Sequence, residues 1–360
     1  LPNEKVAGNT ESATIRIQKK LARNAHSEWI HERIGMKKTA AVICPGRGTY
    51  TKTELGYLKK HGPAIKPLID RLDQRLQKIG KPTVSELDGA ERFSLKTHTP
   101  GEFASTLIYG CSAADFTVID RDTFDIVAVT GNSMGWYTAL GLAGGLIPGA
   151  DFDLIDTMGS MMTDGIIGGQ LIYPVVDDDW HFSGENYGIL RNALKEVGMM
   201  PGCEVYPSIN FGGYAIIGGN EKALQILMKS LPLKDEGRYP FILVNHAAFH
   251  TPMMNSISEK AFKQLSIEIF SDPKIPLVDG RGGIWQPKST NIEELRRYTL
   301  GHQVTETYDF SKAITVTMKE FAPDVLIILG PGSSSGGAVA QVLIDGGWYG
   351  LTSKNAFIER

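Results

Sequence analysis

The sequence predicts an α/β protein, with a parallel-sheet large domain interrupted by a small α+β unit. Short apolar runs at 39–44 (TAAVIC), 125–130 (DIVAVT) and 324–329 (DVLIIL) lack the alternation of a half-exposed strand, and so read as buried parallel strands. Helical stretches lie between them, which places helices on the faces of the sheet. From Gln170 to about Phe241 the texture changes to two closely spaced strand–helix–strand units, the pattern of a small α+β insert.

A chain of 360 residues with 42% apolar composition has enough material for a substantial core. The formal charge of -3, from 37 basic and 40 acidic residues, gives no electrostatic footprint for wrapping nucleic acid. Cys44, Cys111 and Cys203 are odd in number and far apart, so neither a disulfide framework nor a zinc spacing is expected. No apolar run reaches the roughly 18 residues of a membrane span, and the N-terminal stretch lacks a signal-peptide core. These features predict a cytoplasmic protein with no metal, no nucleic-acid partner and no membrane partner.

Residues 1–35 are polar and charged; Ile15, Ile17, Leu21, Trp29 and Ile30 specify at most one peripheral helix of an N-terminal extension. The large domain is expected over 36–169 and 243–360, and the small subdomain over 170–242. Its first strand leads into the loop Pro45-Gly46-Arg47-Gly48, after which Leu55, Leu58, Ile65, Leu68, Ile69, Leu72 and Leu76 recur at helical spacing. A helix over 101–120 precedes the strand 125–130, and another covers 151–164. The insert is read as strands at 171–176, 204–209 and 214–219 with helices at 185–197 and 221–231. The strand 324–329 ends at a glycine- and serine-rich stretch, 330–337, whose place before a helix also allows a phosphate cradle.

The strand 125–130 runs into Gly131-Asn132-Ser133-Met134-Gly135-Trp136 and then into helical sequence. G-x-S-x-G alone is a weak signal in a chain with 40 glycines. Its place between strand and helix is stronger, because a tight elbow needs small neighbours and presents the serine oxygen at the sheet's carboxyl edge near a helix N-terminus. Ser133 is therefore a candidate nucleophile, the alternative being an ordinary turn serine. A serine needs a base, and position alone does not choose among His26, His31, His61, His98, His181, His246, His250 and His302.

Four segments in order resemble the malonyl-CoA:acyl-carrier-protein transacylases and the related acyltransferase domains of fatty acid and polyketide synthesis. They are Pro45-Gly46-Arg47-Gly48, Gly131-Asn132-Ser133-Met134-Gly135-Trp136, Ala247-Ala248-Phe249-His250 and Leu329-Gly330-Pro331-Gly332. The resemblance runs from about residue 36 to the end, and implies a hydrolase-like parallel-sheet domain with an inserted ferredoxin-like subdomain. It implies ping-pong transfer of an acyl group from acyl-CoA, through acyl-Ser133, to the phosphopantetheine arm of an acyl carrier protein. His250 would be the base, oriented by main-chain carbonyls; Gln303 would sit near the site; and the backbone N–H groups of Arg47 and Met134 would form the oxyanion hole. No permanently bound cofactor is expected, acyl-CoA being a substrate. The 330–337 stretch becomes a structural turn beside the site.

Asn132, Trp136 and Met158 depart from the family pattern, and with Phe249 they are the expected acyl-pocket residues. Met158 stands where malonyl-specific members carry an arginine that holds the substrate carboxylate at two points. The pocket is therefore expected to be small and apolar, favouring a short neutral acyl group. Arg47 is the one new cation expected near the nucleophile. An acyl hydrolase on the same pair, a non-catalytic docking homologue, and an unrelated serine hydrolase with His302 as base are the alternatives.

Overall fold

In the computed structural model, residues 37–359 are described; the N-terminal helix expected within 1–35 lies outside them. The large sheet has five strands, in the spatial order Val325–Ile328, Lys38–Cys44, Phe124–Gly131, Leu277–Val278 and Ile284–Trp285. Strand β1 (Lys38–Cys44) lies between two parallel neighbours, and its residues from Ala40 to Cys44 are wholly buried. This is why its sequence is a continuous apolar run.

The periodic segment after β1 is not one helix. It forms short 3₁₀ turns over Lys52–Glu54 and Tyr57–Ile65, then α1 (Lys66–Lys78) with Pro67 in its first turn. Gly62, at φ 60°, and Pro63 break the apolar stripe, the glycine because it leaves helical backbone and the proline because it cannot donate. Helix α2 (Gly101–Thr117) is buried from Ala104 to Ala114, the signature of a helix covered on most sides. Strand β2 (Phe124–Gly131) pairs in parallel with β1, and Cys44 lies opposite Gly131. The first loop and the serine elbow consequently leave the sheet side by side. Helices α3 (Gly135–Leu142) and α4 (Ala150–Gly159) follow.

The insert runs β3 (Gly169–Pro174), α5 (Gly184–Gly198), β4 (Val205–Phe211), β5 (Tyr214–Gly219), α6 (Glu221–Ser230) and β6 (Phe241–Ile242). This β-α-β-β-α-β order is ferredoxin-like. Period-2 alternation divides its sheet between two cores: Ala215 and Ile217 pack under α5 and α6, whereas Ile209, Phe211 and Ile216 join the large core.

Beyond α7 (Asn255–Gln264), β7 (Leu277–Val278) and β8 (Ile284–Trp285) close one edge of the large sheet. Strand β9 (Tyr308–Asp309) then crosses to the small sheet and pairs in parallel with β4, making its order β6-β3-β5-β4-β9. Helix α8 (Phe310–Phe321), β10 (Val325–Ile328) and α9 (Ser334–Asp345) complete the large domain. Among the described residues no helix is long and apolar enough to cross a membrane.

Candidate active site

Ser133 sits at the turn from β2 into α3 with φ 54°, a left-handed conformation that costs energy for a residue with a side chain. The flanking glycines are required by close approach. A β-carbon on Gly131 would collide with the Gly135 carbonyl, and one on Gly135 with the Cys44 and Pro45 carbonyls. The elbow thus closes only around bare backbone.

His250 comes from the chain returning out of the insert, and it too has positive φ, 59°. Its Nε2 lies 2.7 Å from Ser133 Oγ, and its Nδ1 lies 2.5 Å from the main-chain oxygen of Gln303. A carbonyl only accepts, so Nδ1 carries the proton, and Nε2 presents its lone pair to the serine hydroxyl. The imidazole is 2% exposed. Burial lowers its pKa to about 4; the Gln303 bond opposes this shift and His302 adds to it. His250 is therefore neutral at neutral pH, the state a general base requires.

Gln303 is buried and works at both ends. Its backbone oxygen orients His250, its side-chain Nε2 donates to the Ser133 carbonyl at 3.1 Å, and its Oε1 accepts from the Tyr137 hydroxyl at 2.6 Å. Tyr308 donates to the Gly131 carbonyl at 2.5 Å, and its ring lies 5.3 Å from that of His250. Neither tyrosine was singled out by sequence. Tyr137 is four residues past the nucleophile, one turn along α3, which is a usable signal; Tyr308 carries none, because it reaches the elbow through tertiary folding alone.

His302, the alternative base, lies 3.8 Å from Glu306 and stacks on Tyr298, and His246 Nδ1 is 2.9 Å from the Val244 oxygen. Neither bonds the elbow serine. Asn132 is 8% exposed; its amide nitrogen and backbone oxygen would each meet a β-carbon on Gly46 at 2.9 Å, and its Oδ1 has no hydrogen-bond partner. Met158 is buried near the end of α4, with Gly159 packed against Gly101 and Ser105.

Trp136 does not line the pocket as expected. It is wholly buried beneath the elbow, donating from Nε1 to Thr299 Oγ1 at 3.0 Å and meeting Tyr298 edge-on at 5.1 Å. At that point on α3 its side chain faces the core, so this departure from the family pattern bears on packing. Arg47 turns its side chain across the loop. Its Nη2 donates to the Asn245 oxygen at 2.5 Å and weakly to the Thr99 oxygen at 3.4 Å, and its guanidinium lies 5.9 Å from the Phe249 ring centroid. Burial lowers its pKa to about 10, which leaves it charged. The backbone N–H groups of Arg47 and Met134 donate to no other backbone or side-chain group among the described residues. The Gly330 stretch is a turn containing a cis Gly330–Pro331 peptide, with α9 beginning at Ser334.

No family model matches the chain, and no curated protein does. Solved structures do. Malonyl-CoA:ACP transacylase from Synechocystis sp. PCC 6803 superposes with a TM-score of 0.69 at 19% identity, covering 86% of this chain and 95% of that one. The chain has the malonyl-CoA:ACP transacylase fold. The MCAT of Streptococcus pneumoniae shares this transacylase fold with TM-score 0.65 and 22% identity, over 86% of this chain and 94% of its own. So does a malonyl-transacylase solved in complex with its type II PKS acyl-carrier protein, at 0.69 and 19%, over 85% and 93%. The expected parallel-sheet domain with an inserted small subdomain is the architecture observed.

Proposed function

We propose that this chain is an acyl-CoA:acyl-carrier-protein S-acyltransferase that works through an acyl-Ser133 intermediate. The observation that carries the proposal is the 2.7 Å contact between Ser133 Oγ and His250 Nε2, set on a transacylase fold. In the first half-reaction Ser133 Oγ attacks the thioester carbonyl while its proton passes to His250 Nε2. The C–S bond then breaks, and the coenzyme A sulfur leaves with that proton as thiol. Arg47 and Met134 N–H groups receive the charge that develops on the carbonyl oxygen. The second half runs in reverse, the phosphopantetheine thiol of a carrier protein replacing coenzyme A. A solved transacylase complexed with its acyl-carrier protein supports that choice of acceptor.

Met158 supports a short neutral acyl group, since a thioether cannot pair with a carboxylate. Arg47 has its Nη2 on the Asn245 and Thr99 carbonyls but its buried Nε has no partner, so efficient loading of malonyl-CoA by the wild type would point to Arg47 as the substitute cation.

Intact-protein mass spectrometry after incubation with a panel of acyl-CoAs tests the proposal. A short neutral acyl increment is expected on the wild type and none on Ser133→Ala; an undiminished adduct on the mutant sinks the assignment. Acyl-enzyme that persists for minutes in buffer and discharges quickly to a holo carrier protein identifies a transferase. Rapid loss to water, unaccelerated by any carrier protein, identifies a hydrolase.

A further inference from the structure

The first loop contains one hydroxyl whose bond lies on the peptide group that matters most to the proposed chemistry. Thr49, 6% exposed, donates from Oγ1 to the Gly46 carbonyl at 3.0 Å. That carbonyl and the Arg47 N–H belong to the same planar peptide unit, so fixing the direction of one fixes the direction of the other. A hydrogen bond accepted at the oxygen also polarises the unit and strengthens its N–H as a donor.

Thr49 is itself held from behind. Gly332, at φ 79°, packs so closely on the Thr49 carbonyl that a β-carbon there would collide with it. The turn carrying Gly332 is pinned by α2, where Ser112 Oγ donates to the Gly330 oxygen at 2.6 Å and Asp115 accepts from the Gly330 N–H at 2.7 Å. Asp115 is a mostly buried carboxylate that also accepts from the Tyr57 hydroxyl at 2.6 Å and lies 2.8 Å from His61 Nε2 and 3.2 Å from Lys60 Nζ. Burial alone would raise its pKa, but these donors hold it below the usual carboxylate range. Gly330 leaves no room for a side chain, because a β-carbon would overlap the Tyr57 hydroxyl.

We propose that Thr49 is a positioning residue that aims the Arg47 N–H at the developing oxyanion, backed by the Gly330–Gly332 turn that Asp115 anchors. This rests on the acyl-transfer reading of Ser133. Its weight falls on the rate of the chemical step, since the substrate carbonyl calls on that N–H only as charge develops.

The test is pre-steady-state acylation of wild type, Thr49→Val, Thr49→Ser, Asp115→Asn and the Thr49→Val/Asp115→Asn pair, with thermal melts as the folding control. Removing one oxyanion donor outright costs about 10²–10³ in rate, so misdirecting one is expected to lower the acylation rate of Thr49→Val about ten- to hundredfold. KM should stay within about twofold, and Thr49→Ser should keep most of the wild-type rate. The double variant should be little slower than Thr49→Val, because both changes act through one peptide. An unchanged rate in Thr49→Val, an effect on KM alone, an equally impaired Thr49→Ser, or full additivity would overturn the proposal. Should Asp115→Asn fail to fold, the two Thr49 variants decide. If the wild type forms no acyl adduct, the acyl-transfer reading fails separately. Phosphonylation of Ser133 by a fluorophosphonate then replaces acylation, with the same ratios expected because it too places charge on an oxygen at the hole.

Discussion

Replacing Met158 with arginine tests the substrate preference directly. In the wild type, a malonyl carboxylate placed beside the buried Met158 meets a thioether, and burying an unpaired charge costs several kcal/mol. At about 1.4 kcal/mol per factor of ten, even a loss of about 3 kcal/mol gives an acetyl-over-malonyl preference near a hundredfold. A guanidinium at this position would supply a two-point, charge-assisted contact. Recovery should be incomplete, because Arg47 is charged, lies beside Gly101, and Gly101 packs directly against Gly159, the neighbour of Met158. Two cations so close raise each other's cost until a substrate anion arrives. Met158→Arg is therefore expected to narrow the acetyl-to-malonyl ratio by about ten- to hundredfold. Competition between the two acyl-CoAs, read as the ratio of acyl-Ser133 masses, measures it. Wild-type enzyme that loads malonyl-CoA as readily as acetyl-CoA would refute the reasoning, as would a folded Met158→Arg variant with an unchanged ratio.

His250→Ala should slow acylation by about 10²–10⁴, the usual contribution of a positioned base, in a quenched-flow assay; a near-wild-type rate would remove His250 from the mechanism. Because burial lowers the His250 pKa to about 4, the working neutral form persists well below pH 6.5. The acid limb of kcat/KM should then fall near pH 4, and a limb at 6.5 would contradict the buried geometry. The same depression bears on stability: the unfolded chain binds this proton first, so the His250 contribution is present above pH 6.5 and is lost as pH falls toward 4. Tyr308→Phe leaves the Gly131 carbonyl without its donor, and should cost about 1–3 kcal/mol in urea unfolding while lowering the acylation rate.

The elbow and the core strands were legible in the sequence because local rules dictate them. A central parallel strand must be apolar on both faces, and a turn as tight as 131–135 leaves no room for a β-carbon at Gly131 or Gly135. The base was not legible from pattern. Eight histidines are equivalent until the fold brings one of them 2.7 Å from the serine, and only the resemblance singled out His250. Trp136 was misplaced because spacing along a helix gives a position without saying which neighbour occupies that side. The two-residue strand Tyr308–Asp309 is too short to show a period, so its passage from the large domain to the small sheet went unread. The helical spacing over 55–76 persisted through a break that Gly62 imposes on the backbone.

The choice of a carbonyl, rather than a carboxylate, behind His250 has a consequence for the state in which the ring waits between proton transfers. A carboxylate would stabilise the imidazolium and hold a proton on the ring; the Gln303 oxygen carries no net charge, and the buried ring keeps its Nε2 unprotonated. Under the acyl-transfer reading, a proton taken from a nucleophile is held only weakly and is surrendered as soon as a leaving sulfur can accept it. Each half-reaction would then start from the same neutral ring, with no proton to be exchanged with solvent in between.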